Sequence, residues 1–215
     1  PAGVPAETVV SLLFTPCRPA RDGGAFVLPP ALPGRRIMCW KGWIGNMRII
    51  NAKIFPVDRP CIENGYVDIE GGRITALGAM PAPGGEGEVL DAAGGWLFPG
   101  FIDVHTHIGM WEDGLGFEGD DGNEDTDPAT PQLRAVDAIN MQDRCFAEAA
   151  AAGVTAVLTG PGSANPIGGQ FCAMKTYGDR VDDAVMLAPA AMKMALGENP
   201  KTTYHGKNQA PVTRM

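Results

Sequence analysis

The chain has 215 residues, enough for a sizeable core, and its 45% apolar and 20% charged content is the ordinary balance of a globular protein. Its 25 carboxylates against 17 cations leave a net charge of −8, which argues against nucleic acid or an anionic membrane as partner, since either needs a basic face. The five cysteines (Cys17, Cys39, Cys61, Cys145, Cys172) are scattered and form no CxxC pair, so they read as free thiols of a reducing, cytoplasmic compartment.

Residues 1–46 differ in texture from everything after them. They are Pro-rich (Pro29, Pro30, Pro33) and Arg-bearing (Arg18, Arg21, Arg35, Arg36), with no sustained helix or strand period. The apolar run from Val9 to Phe14 is preceded by Glu7 and is too short for a signal peptide or a membrane span. Pro16 directly before Cys17 argues against a lipoprotein cleavage site, and Trp40 and Trp43 read as isolated aromatics. An orderly strand pattern begins at Met47. The expectation is a native start at Met47, with residues 1–46 a non-native or disordered leader.

From Met47 the texture is β. Strands are expected at residues 48–54, 66–70, 73–78 and 88–92, separated by a Pro56/Pro60 turn, an Asn64-Gly65 hairpin-type turn, the Gly71-Gly72 turn and a Gly/Pro loop at 81–87. Four such strands make a small antiparallel sheet that cannot cover itself. Residues 94–100 then lead into the most informative stretch, Gly100-Phe101-Ile102-Asp103-Val104-His105-Thr106-His107. Strict alternation sets Phe101, Asp103, His105 and His107 on one face of a strand. Two imidazoles at i and i+2 project side by side, close enough to hold one metal ion.

Residues 109–131 form a long acidic loop carrying Glu112, Asp113, Glu118, Asp120, Asp121, Glu124, Asp125 and Asp127, either solvated or gating the site. Its spacing does not match an EF-hand. Residues 131–153 read as a helix closed by Gly153, and 154–159 as a buried strand, the strand–helix–strand signature of a parallel sheet. The loop at 160–169 is glycine-rich but lacks the P-loop form; it reads as a tight loop lining a site at the strand's carboxyl end. Strand-like runs follow at 184–187 and 192–200, their methionines read as core filler. His205 reads as a surface histidine in a polar loop, and 210–215 as the start of another helix.

The ordered motifs from Met47 to His107 resemble the amidohydrolase superfamily. They are Ile50-Asn51-Ala52, Asn64-Gly65-Tyr66-Val67-Asp68-Ile69, Gly72 to Gly78, Val89-Leu90-Asp91-Ala92 and Phe98 to His107. Residues 109–200 look like its imidazolonepropionase-related branch, through Phe117-Glu118-Gly119, Thr159 to Pro166 and Ala195 to Pro200. The resemblance implies an α/β fold: the first strands of a (β/α)8 TIM barrel over residues 99–215, preceded by the first half of a small β-sandwich over 47–98. It implies a metal-dependent hydrolase of C–N bonds acting on a small-molecule substrate, with no nucleic acid or membrane partner and with room for a homo-oligomer.

The resemblance carries the first-strand metal ligands onto His105 and His107, with a divalent ion, Zn²⁺ by its imidazole donors, as cofactor. The bridging carboxylate of a middle strand, Glu or a carboxylated lysine, falls on Lys193 or Glu198. Asp103 is expected to orient an imidazole or to satisfy backbone. The two later histidines and the acid/base Asp have no counterpart and are expected beyond Met215, so the chain reads as an amino-terminal fragment with little or no turnover of its own; the alternative is a catalytically silent fragment or binding module with at most weak metal binding.

Overall fold

The computed structural model describes residues 12–15, 36–38, 46–113 and 115–214, and they divide into two compact units. One comprises residues 1–101 and 151–153, the other 102–150 and 154–215.

The first unit is a seven-stranded sheet organised on β3 (Met47–Ile54). Before it come β1 (Leu12–Thr15) and β2 (Arg36–Met38), two short strands from within the stretch read as a leader. The rest of that stretch, Trp40 and Trp43 included, lies outside the described residues. After β3 come β4 (Ile62–Glu70), β5 (Arg73–Ala79), β6 (Glu88–Asp91) and β7 (Trp96–Pro99). The main path runs β2-β1-β7-β3-β4-β5, with β6 also on β3.

Alternation in β3 buries Met47 and Ile49, then changes phase to bury Ala52 and Ile54. The phase change is a bulge at Asn51, whose φ of 55° lies in the left-handed region that asparagine tolerates. Its Nδ2 donates to Asp91 Oδ1 at 2.9 Å, which ties β3 to the end of β6. Around β3 the core gathers Val67, Ile69, Ala92 and Leu97.

Three expectations change here. The sheet is mixed, because β6 and β7 both run parallel to β3. Asn64-Gly65 is not a turn: β4 runs straight through it, and Gly65 is there for close approach, since a Cβ would lie 2.6 Å from Ile54 Cδ1 and 2.8 Å from the Gly78 carbonyl oxygen. Residues 96–99 form a strand rather than a lead-in, its Leu97 almost fully buried. The turn at Gly71-Gly72 stands, both residues having positive φ.

The second unit carries a four-stranded sheet in the order β11-β10-β9-β8. Its strands are β8 (Phe101–Thr106), β9 (Val154–Thr159), β10 (Ile167–Lys175) and β11 (Val185–Met194). The predicted helix over 131–153 contracts to a 3₁₀ turn at Ala135–Asp137 and the eight-residue α1 (Arg144–Ala151). Asp143 sets the start of α1 by accepting the Cys145 N–H on its Oδ1. A one-turn α2 (Val181–Ala184) precedes β11, and α3 (Glu198–Gly206) ends the regular structure.

The strand–helix–strand pattern does bring β8 beside β9. Beyond β9 the parallel expectation fails, because β10 is antiparallel to both β9 and β11. β10 was hidden by its opening glycines, Gly168 and Gly169. The two apolar runs at 184–187 and 192–200 are instead one strand and a helix: β11 continues across Pro189, which an edge strand tolerates, and residues from Glu198 are helical. His205 is exposed, on α3 rather than a loop, and residues 210–214 are not helical. The core is Met110, Ile139, Phe146, Val157, Cys172 and Met174. Ile102 and Val104 on β8, and Met186, Leu187 and Met194 on β11, stay at least half exposed.

A buried polar network ties α3 to two loops. Tyr204, with no exposed surface, donates its hydroxyl to Asn165 Oδ1 at 2.6 Å. Asn165 Nδ2 in turn donates to the Glu124 carbonyl and to Thr130 Oγ1. Thr130 reaches the Ile167 carbonyl through both its N–H and its hydroxyl. The acidic segment is therefore pinned at its carboxyl end, not loosely solvated.

The Tyr204→Phe variant leaves the buried Asn165 carbonyl without its donor, so it is expected to lose about 1–3 kcal/mol of stability, read as a lower urea midpoint. Burial pushes the Cys145 and Cys172 thiols up to about 11, while Cys61 is exposed. Iodoacetamide at pH 8 should thus label Cys61 well before Cys145 and Cys172, as followed by peptide mass spectrometry.

Candidate metal centre

The site is built at the carboxyl end of β8. Pleating sends His105 out of the strand's last turn of alternation, and His107 follows one residue past its end. Their rings lie 5.4 Å apart, nearly perpendicular. His107 Nδ1 lies 2.7 Å from the Gly160 carbonyl oxygen, just after β9. A carbonyl only accepts, so this bond places the proton on Nδ1 and leaves Nε2 with a free lone pair, the form a metal ligand needs. Beside it, Thr159, fully buried, donates its hydroxyl to the Ile108 carbonyl at 2.9 Å and holds the ends of the two strands in step.

Gly160 could not be another residue. A Cβ there would lie 2.2 Å from the ring of Phe171, which packs against His105 at 5.7 Å and His107 at 6.2 Å. From the glycine-rich loop at 160–169, Gly160 supplies a carbonyl to an imidazole.

Lys193 arrives from β11, antiparallel to β10 and separated from the strand of His105 by two others, β10 and β9. Although Met192 and Met194 flank it as exposed residues, its own side chain turns inward and is 8% exposed. Its Nζ lies 3.5 Å from His105 Nε2 and 5.9 Å from the centre of the Phe171 ring. Gly168 makes room for its stem, with the Lys193 Cγ 3.2 Å from where a Cβ would stand. Burial pushes the ammonium down from its ordinary value, toward the neutral amine.

The other two expected residues lie elsewhere in the geometry. Asp103 is exposed on β8, and its Oδ1 accepts the backbone N–H of His105 at 3.1 Å, bracing the strand rather than a ring. Glu198 is exposed at the start of α3, where a helix has replaced the expected strand end. Among the described residues no three His, Cys, Asp or Glu side chains converge, so Glu198 does not join the imidazole pair.

Gly160, Phe171 and Trp111 were not singled out by sequence. Trp111 packs edge-on against His107 at 5.4 Å. Only Gly160 carried a usable signal, a glycine directly after a buried strand; the two aromatics reach the site through tertiary packing.

No family model matches the chain. It is 36% identical over 188 residues to the amidohydrolase tasK of Hapsidospora irregularis, a match over 82% of this chain and 17% of that protein. To an imidazolonepropionase of Aromatoleum aromaticum it is 37% identical over 71 residues, 31% of this chain and 17% of the relative. The solved structure of an amidohydrolase from Thermotoga maritima superposes on it with a TM-score of 0.74 and 41% identity, over 79% of this chain and 44% of that one. The chain spans about a sixth of the length of the two curated relatives. Identity of 36% and 41% to two amidohydrolases, each across about four fifths of the chain and in one case with the same course of backbone, means that it belongs to the amidohydrolase superfamily, in its imidazolonepropionase-related branch.

Proposed function

We propose that this chain carries the first metal-binding elements of a metal-dependent hydrolase that cleaves C–N bonds of amides or cyclic amides with an activated water. The observation that carries the reading is the His107–Gly160 hydrogen bond, which prepares Nε2 of one imidazole as a donor beside a second. The residues present fit a Zn²⁺ ion by the chemistry of their donors. Lys193, whose Nζ stands 3.5 Å from His105 Nε2, would join the two imidazoles in holding the ion. Bound there, zinc would lower the pKa of its water to about 7 and polarise the amide carbonyl.

The protein's own residues then have distinct tasks. His105 and His107 donate from their ring nitrogens. Gly160 holds the tautomer of His107, and Phe171 excludes water from the back of both rings. Lys193, rather than Glu198, supplies the middle-strand ligand in this reading. Its neutral amine is the form that adds CO₂, losing one proton, to give the carboxylated lysine that the superfamily resemblance implies. The fold we assign to the whole is a (β/α)8 barrel begun by β8 and β9, with the sheet of the first unit as part of a small β-sandwich. We assign the protein to the cytoplasm and a small molecule as its substrate; no helix among the described residues is long and apolar enough to cross a membrane. A second reading, a chain that holds metal only weakly, is favoured by the absence of a converging carboxylate among the described residues.

Zinc content after purification and dialysis separates the two. The parent is expected to retain zinc and the His105→Ala/His107→Ala double variant to lose it; equal metal in both would remove the hydrolase reading. Lys193→Met should weaken zinc binding at least about tenfold, and Glu198→Gln should leave it unchanged. The reverse pattern would move the ligand to Glu198. Gly160→Ala, which drives a methyl into Phe171, should also lower zinc affinity by about ten- to a hundredfold.

A further inference from the structure

The two histidines are held by different means. His105 lies within β8, whereas His107 lies past the strand's last residue, Thr106. Among the described residues β8 is also the outermost strand of its sheet, and its Ile102 and Val104 are exposed. The His107 ring is therefore aimed by the turn that follows β8 and by whatever that turn is tied to. Within the turn, the Met110 N–H donates to the His107 carbonyl at 3.2 Å and the Ile108 N–H to Thr106 Oγ1 at 3.3 Å. The tie outward is the Ile108 carbonyl, which accepts the Thr159 hydroxyl at 2.9 Å.

Thr159 is a firm anchor for that tie. It is fully buried, and its backbone sits opposite Cys172 of β10, in the interior of the sheet. A buried hydroxyl requires a partner, and it finds one in the Ile108 carbonyl. Two hydrogen bonds of opposite sense thus join two neighbouring pairs of residues: His107 donates to Gly160, and Thr159 donates to Ile108. Neither pair can slide along the other without losing both bonds. The tautomer of His107 depends on that register. A slip of about 1 Å would lengthen the 2.7 Å contact from Nδ1 to the Gly160 carbonyl beyond hydrogen-bond range. Trp111 and Phe171, packed edge-on, limit where the ring goes but offer no acceptor to choose which nitrogen carries the proton. An imidazole without a fixed acceptor returns to its preference in water, with the proton chiefly on Nε2, the nitrogen a metal needs free.

We propose that Thr159 is a positioning residue of this site: its hydroxyl locks the turn after β8 to the end of β9 and so keeps His107 in the Nδ1–H tautomer. The purpose of that tautomer, a free Nε2 for a metal ion, rests on the hydrolase reading above. The tautomer itself is a property of the metal-free chain.

The test reads the ring nitrogens of His107 by long-range ¹H–¹⁵N NMR in the metal-free 215-residue chain at pH 8, where a free imidazole is neutral. Only three histidines contribute signals, and the exposed His205 serves as the internal reference. The parent should show His107 as a single Nδ1–H tautomer. Thr159→Val, which exchanges the hydroxyl for a methyl, should show a mixture of tautomers. Thr159→Ser and Thr159→Ala both lack the methyl and differ by one oxygen, so this pair carries the test if the valine variant fails to fold. Serine should match the parent, and alanine should show the mixture. Zinc affinity, measured by competition with a chelating dye, should fall about tenfold in the alanine and valine variants and recover in the serine variant. A single Nδ1–H tautomer in the alanine or valine variant, or a serine variant that behaves as alanine does, overturns the proposal. Failure of the hydrolase reading shows separately, as equal zinc in the parent and the double histidine variant.

Discussion

One hydrogen bond, from His107 Nδ1 to the carbonyl of Gly160, sets the terms for the rest of the second unit. It requires the end of β8 and the end of β9 to lie side by side, which the buried Thr159 hydroxyl secures on the Ile108 carbonyl. It also requires a backbone without a Cβ at 160, because the Phe171 ring fills that space. The ring is there because β10 folds back antiparallel on β9, and β10 in turn carries β11 and Lys193. A single donor–acceptor pair thus depends on three strands, and the geometry of three nitrogens depends on it.

The loops around the site are ordered by a different kind of interaction. Tyr204, Asn165 and Thr130 are nearly devoid of exposed surface, and each polar group among them has a partner. In a low-dielectric setting such a network rewards completeness, since one missing member leaves an unsatisfied group behind. It reconciles the acidic character of residues 112–127 with a defined conformation: most of the carboxylates are exposed, Asp113 and Asp125 pair with Arg144 and Lys207, and Thr130 is anchored inward.

The sequence made the local signals legible and the tertiary ones much less so. The β3 strand, the Gly71-Gly72 turn and the side-by-side placing of His105 and His107 follow from period and turn chemistry, and all three stand. Misreadings gather where glycine or proline served packing rather than punctuation. Gly65 lies within a strand for close approach, Gly168 and Gly169 open β10, and Pro189 sits inside β11. The helix expected over 131–153 lost its first half because residues 135–143 are held by 3₁₀ and side-chain-to-backbone bonds, which hydrophobic spacing does not report. Of the two residues offered for the middle-strand ligand, sequence could not choose. Lys193 is distinguished only by the register of an antiparallel pair and the burial that follows from it.

The partners in this site are distant along the chain. His107 and Gly160 are 53 residues apart, and His105 and Lys193 are 88 apart. Closing such spans costs entropy before any contact returns it, so arrangements of this kind form late in folding, after local turns and helices. An ion that requires all three side chains would then bind only chains that have completed the sheet. Its occupancy would count finished molecules, and by mass action it would hold them in that state.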